Sequence, residues 1–309
     1  MGTNRRDFLK QLGGIGSLAL IGKTPKVHAS EHSVSFPDHL GVLVDITLCI
    51  GCRSCEKACN EINKDLPRRT PEYFKDKSVF EKRRRMDGDA YTIVNKYSNP
   101  NNDGRPIYVK FQCMHCLEPA CMSACIVGAL SKAPNGAVIY DAWKCIGCRY
   151  CMAACPFQVP AYEFDNAFTP QVRKCTFCFN ERTSKGNAPA CVQACPMGVM
   201  TFGKRSELIK LANERMKKYP GRYLPHIYGE HELGGTAWLY LSAVPFEDID
   251  LPEFGPKSIP SYTEPIQHAL FKYFLPPMAL YGLLGGFMWY LKPKKETLKP
   301  ALDKEGTDK

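Results

Sequence analysis

The sequence lacks any evident catalytic acid–base constellation, which argues against a self-contained enzyme. It also lacks a recognisable nucleic-acid-binding motif. The formal net charge of +10 over 309 residues comes from scattered short basic runs, the pattern of a solvated surface. Much of that charge sits at the N-terminus. Residues 1–29 carry Arg5, Arg6, Lys10, Lys23 and Lys26 against Asp7, a net +4, leaving +6 on the remainder. No nucleic-acid partner is expected. No cysteine is spare either: the 16 cysteines fall into four groups of four, so none remains for a disulfide or a nucleophile.

The most regular group is Cys145-Ile-Gly-Cys148-Arg-Tyr-Cys151-Met-Ala-Ala-Cys155-Pro156. Its C-x2-C-x2-C-x3-C-P spacing holds iron–sulfur clusters in bacterial ferredoxins. Three cysteines at this stride wrap one cube, and the fourth points towards a second cube. Pro156 suits the turn that follows, because it fixes φ and removes an N–H. A zinc site more often shows two separate C-x2-C knuckles with a long gap. A zinc-binding structural protein stays as the competing reading, separable by iron and sulfide analysis.

Cys49-Ile-Gly-Cys52-Arg-Ser-Cys55-Glu-Lys-Ala-Cys59 repeats the motif. Cys113, Cys116, Cys121 and Cys125 form a variant with a wider middle gap. Cys175, Cys178, Cys191 and Cys195-Pro196 form another with a longer excursion. Four 4Fe–4S clusters are implied. Only residues 126–144 separate the second group from the third, so Cys113 to Cys155 reads as one two-cluster unit. Exchange of the fourth cysteine then predicts two quartets, Cys113, Cys116, Cys121 with Cys155, and Cys125 with Cys145, Cys148, Cys151. The outer groups pair around this unit, as Cys49, Cys52, Cys55 with Cys195, and Cys59 with Cys175, Cys178, Cys191. The fold class expected is α+β, a nested double ferredoxin-like domain over residues 30–267 with one C-terminal transmembrane helix. Asn60 and Ile126 stand where a proline often follows the fourth cysteine, which leaves the local turn open.

Residues 1–29 read as a twin-arginine export signal, Arg5-Arg6-Asp-Phe8, with cleavage after Ala29; a short amphipathic helix is the alternative. Gly41–Asp45 reads as a short buried strand. Residues 60–112 form an insertion with strands at Tyr91–Val94 and Ile107–Phe111, either a docking surface or a decoration. Its Glu81–Arg85 charge run reads as a solvated face. His115, between Cys113 and Cys116, either donates a hydrogen bond to a cluster or simply packs. Further on, Ser206 is expected to cap a helix running to Tyr219, Ala237–Leu241 to form a strand, and Pro245–Pro265 to be an extended linker.

Residues 273–291 contain no charge. As a helix, 19 residues would span about 28 Å, close to a hydrocarbon core. Lys292, Lys294 and Lys295 follow, so the positive-inside rule puts tail 292–309 in the cytoplasm. The expected membrane segment is 268–291; a buried core helix is the alternative. Gly282 and Gly286 are spaced to face another membrane helix.

The arrangement resembles the ferredoxin-like electron-transfer subunits of periplasm-facing respiratory complexes, above all those of membrane-bound nickel–iron hydrogenases of the hydrogenase-2 type. The likeness rests on Arg5-Arg6-Asp-Phe8, the four cysteine groups, Pro225-His226-Ile-Tyr228-Gly229-Glu230, Gly234-Gly235-Thr236, Val244-Pro245, Asp250-Leu-Pro252 and the apolar tail. It implies an electron relay at the periplasmic face of the inner membrane. The implied partners are the hydrogenase large and small subunits and an integral membrane quinone-reactive subunit. The relay subunit of a molybdenum enzyme, such as formate dehydrogenase or a sulfur-compound reductase, is the alternative.

Overall fold

A computed structural model describes residues 39–100, 104–166, 169–272 and 275–291. The expected export signal and cytoplasmic tail lie outside them. The chain divides into two units, one ending at Glu264 and the other starting at Pro265.

The first unit is built on strand β1 (Leu40–Asp45), whose run of apolar residues suits burial on both faces. The sequence then gives helices α1 (Ser54–Ile62) and α2 (Pro71–Lys75), strands β2 (Thr92–Tyr97) and β3 (Ile107–Gln112), and helix α3 (Ala120–Ser123). Strands β4 (Leu130–Lys132) and β5 (Val138–Tyr140), helix α4 (Tyr150–Ala154), and strands β6 (Ala161–Tyr162) and β7 (Val172–Arg173) follow. The unit continues with α5 (Ala190–Gln193), β8 (Met200–Lys204), α6 (Arg205–Lys218) and β9 (Trp238–Leu241).

β1 is the middle strand of a sheet ordered β8-β1-β9. It runs antiparallel to β8, with Val42 opposite Phe202, and parallel to β9, with Val42 opposite Trp238. The two-residue period of a strand sorts its side chains. Leu43 faces α6 and packs with Leu208, Ala212, Leu239 and Leu241. Val42 and Val44 face the cysteine side and share a core with Cys55, Cys191, Phe177, Trp238 and Tyr240. β2–β3, β4–β5 and β6–β7 are antiparallel pairs. One face of the central sheet thus builds an ordinary core, and the other backs the thiols.

Several expectations are corrected. The 60–112 insertion contributes to the interior of the unit, with Ile93, Val94 and Val109 buried. Its charge run is exposed except at Arg84, which pairs with Glu56 at 2.5 Å and donates to Val94 O at 2.9 Å. Ser206 does not cap α6. The helix starts one residue earlier, at Arg205, whose guanidinium donates to the carbonyls of Thr236, Gly229 and Glu230. Residues 245–259 are packed rather than a linker. Phe246, Ile249 and Leu251 are buried, and Asp250 accepts from Tyr97 Oη at 2.9 Å. The prolines there mark turns between apolar anchors.

Helix α7 (Pro260–Lys272) carries Pro265 in its interior and crosses the unit boundary. Helix α8 (Leu275–Tyr290) is 16 residues long and leaves Leu283, Phe287 and Trp289 exposed. At about 1.5 Å per residue it reaches about 24 Å, short of a core about 30 Å thick. Among the described residues no helix is long and apolar enough to cross a membrane. The expected spanning helix over 268–291 is therefore not what the described residues show: Tyr273 and Phe274, which would join α7 to α8, lie outside them.

Candidate metal centres

All 16 cysteines lie within the described residues and are free thiols. The two Cys-Ile-Gly-Cys-Arg repeats fold alike. Gly51 and Gly147 take φ of 65° and 71°, and Arg53 and Arg149 take 65° and 59°. Left-handed backbone is uncommon outside glycine. Here it turns the chain so that Cys55 and Cys151 enter the first turns of α1 and α4. The loops aim donors at sulfur: Gly147 N–H donates to Cys145 Sγ at 3.4 Å, Phe177 N–H to Cys175 Sγ at 3.4 Å, and Ala129 N–H to Cys125 Sγ at 3.2 Å. Such bonds strengthen once the acceptor is ionised.

The thiols gather across the sequence. Burial, then Cys52 and Cys195, push Cys49 up to about 11, partly offset by the Gly51 N–H. Burial and Cys175, Cys191 and Cys178 push Cys59 well above the thiol range, and these four line one enclosed cavity with Lys110 and Trp238. Cys116 is raised by burial, then by Cys113, Cys155 and Cys121. Burial and then Cys145, Cys125 and Cys148 push Cys151 up to about 11. Between these gatherings Cys55 is in reach of Cys191, Cys175 of Cys113, and Cys121 of Cys151. Cys148, in the last of these gatherings, is exposed. Each raised value marks a thiolate that burial disfavours until a cation pairs with it.

The surroundings fit iron–sulfur cubes. Among the described residues no three His, Cys, Asp or Glu side chains close on a single-ion site; a cube asks for a wider spread, one thiolate per corner iron. His115 is fully buried, and its Nδ1 accepts from Val138 N–H at 2.9 Å. Burial, then Lys174, Lys132 and Lys110, hold it well below its ordinary value. The neutral ring therefore carries its proton on Nε2, which has no partner among the described residues. His115 also stacks on Phe177 at 4.9 Å, so it packs and keeps a donor in reserve. Three residues escaped the sequence reading. Lys110 and Trp238 face the Cys59 cavity. Arg53 is fully buried, bonding Glu56 Oε2 at 2.8 Å and the carbonyls of Tyr73 and Asp76. A charged residue inside a strand, or in a glycine-led loop, carries no local mark of burial.

Residues 105–205 match the 4Fe-4S dicluster domain family. The chain is 49% identical over 263 residues to a protein of Nitratidesulfovibrio vulgaris, covering 84% of this chain and 70% of that one. It is 38% identical over 307 residues to the hydrogenase-2 operon protein HybA of Escherichia coli O157:H7, covering 90% and 92%. The chain belongs to the ferredoxin-like iron–sulfur electron-transfer subunits of oxidoreductase complexes. The same family includes the iron-sulfur subunit of the nitrate-inducible formate dehydrogenase of Escherichia coli K12, 33% identical over 252 residues, 79% of this chain and 81% of that one. As a member it binds 4Fe–4S clusters and serves a complex without a catalytic centre of its own.

Proposed function

We propose that the four quartets, led by Cys49, Cys59, Cys113 and Cys125, each hold one 4Fe–4S cluster and form a relay in that order, from Cys49 to Cys125. The observation that carries this reading is the packing between quartets, Cys55 with Cys191 in the central core and Cys121 with Cys151 in another, with Cys175 in electrostatic reach of Cys113. Bound there, the clusters supply one-electron chemistry. The protein supplies thiolates, N–H donors to sulfur and a dry interior. The relay connects a periplasmic nickel–iron hydrogenase catalytic dimer to a quinone-reactive integral membrane subunit. Near end-to-end coverage of the hydrogenase-2 operon protein supports that partner. The molybdenum-enzyme reading draws on the shorter match to the formate dehydrogenase subunit.

The twin-arginine pattern in residues 1–29 and the exposed apolar side chains of α8 support a location at the periplasmic face of the inner membrane. The domain plan is that of the sequence: signal 1–29, cluster domain 30–267, membrane segment 268–291, tail 292–309.

The test is anaerobic purification of the native complex. About sixteen iron and sixteen sulfide per chain are expected, four of each per cube, with reduction of the clusters by hydrogen in the intact complex. Zinc without sulfide would end the cluster reading. Reduction by formate and not by hydrogen would move the chain to the molybdenum-enzyme partner.

A further inference from the structure

We propose that Lys110 is a positioning residue that sets the redox potential of the group held by Cys59, Cys175, Cys178 and Cys191, acting as a fixed buried positive charge. This rests on the cluster reading above. Lys110 is only 3% exposed. It lies on β3, so the 60–112 insertion delivers it to the interior. Its Nζ stands 4.3 Å from the Trp238 ring centroid and donates to Gln112 Oε1 at 2.6 Å. Gln112 in turn donates to Tyr240 Oη at 2.7 Å, and that hydroxyl donates back to Lys110 O at 3.0 Å. The side chain is thus held in place.

Among the described residues no carboxylate pairs with it. A buried ammonium without a counter-charge is costly, and Lys110 lines the same cavity as Cys59, Cys175, Cys178 and Cys191, whose thiolates and cluster would be its counter-charge. Among the described residues Trp238 Nε1 is also buried without a partner, and the cavity lining holds no Asp or Glu. Adding an electron to a cluster adds one negative charge, and a fixed cation favours that state. The cysteines at the opposite end differ. Cys151 packs with Cys125 and Cys145, and Cys148 of the same quartet is exposed.

The experiment is an EPR-monitored redox titration of the native complex carrying Lys110→Met or Lys110→Arg, with iron and sulfide measured on each. The signal is assigned with Cys191→Ser, which should remove it. Lys110→Met should lower the midpoint of that one cluster by at least a tenfold change in reduced-to-oxidised ratio, which is about 59 mV for one electron. The cluster at Cys125 should not move, and Lys110→Arg should restore the wild-type value. An unmoved midpoint at full iron content overturns the proposal, as does an equal shift of all clusters. Should the Met variant lose iron, Lys110→Gln is titrated in its place. Iron loss in both neutral variants overturns tuning in favour of a structural role. Wild-type protein without iron and sulfide would instead overturn the cluster reading itself.

Discussion

The two Cys-Ile-Gly-Cys-Arg loops share sequence and backbone but not surroundings. At the first, Gly51, Arg53, Cys55, Glu56 and Cys59 are buried. Arg53 lies within 5.6 Å of the rings of both Tyr73 and Phe74. It shares Glu56 with Arg84, and Glu56 also accepts from Val94 N–H at 2.7 Å. Lys77 Nζ donates to Gly51 O at 2.7 Å. At the second, Arg149 is exposed and lies over Tyr162 and Phe164, and Trp143, Ile146, Cys148 and Tyr150 are exposed as well. The whole difference is the insertion: residues 60–112 wrap the first loop, and no counterpart wraps the second. A repeated cluster loop therefore specifies its own turn, while its solvent access is decided by chain inserted far from it.

The strongest way to break this comparison is to replace a cysteine in each loop. Cys55 belongs to the central core, so Cys55→Ser should abolish accumulation of folded protein. Cys148→Ser should leave a folded chain lacking about four of sixteen irons, read by iron analysis of the purified complex. Unfolding in both would erase the distinction. Next is the buried triad. Arg53→Met leaves Glu56 with one cationic partner instead of two, and should cost about 3–5 kcal/mol in denaturant unfolding. The two glycines come third. A methyl at Gly51 runs into the Tyr108 ring, and one at Gly147 meets Tyr162 Oη at 2.8 Å. Both substitutions to Ala carry about 1–2 kcal/mol of left-handed strain, and Gly51→Ala should be the worse, since a ring must move and not only a hydroxyl. The smallest effect belongs to Arg149→Met, about 0.5–1 kcal/mol for an exposed cation over an aromatic ring. A loss matching that of Arg53→Met would show that exposure does not govern these loops.

What the sequence revealed follows the same division. The cysteine spacing, β1 and β9 are local patterns, because spacing sets which thiols a loop can present and an apolar run sets a buried strand. The family resemblance is supported by the curated relatives. Lys110 was not legible, since Ile107-Tyr-Val-Lys-Phe111 reads equally well with the lysine pointing out. Its burial depends on Trp238 and Tyr240 arriving from β9. The 245–259 segment failed for a similar reason. Proline density suggested extension, while Ile249 and Leu251 found a core made by distant strands. The tail was read as one uncharged span, whereas the described helix there is α8 alone.

The strand order has a consequence for biosynthesis. β1 is among the first residues to leave the ribosome, yet its partners are Met200–Lys204 and Trp238–Leu241. At about 5–20 residues per second, the nascent chain waits roughly 8–30 s for β8 and longer for β9. Throughout that interval Val42, Leu43 and Val44 are an unpaired apolar edge. The middle of the chain, from Cys113 to Cys155, is complete well before β8 is made. That segment is free to fold before the sheet closes, and a holding factor that covers the early strand would protect the chain until translation passes residue 241.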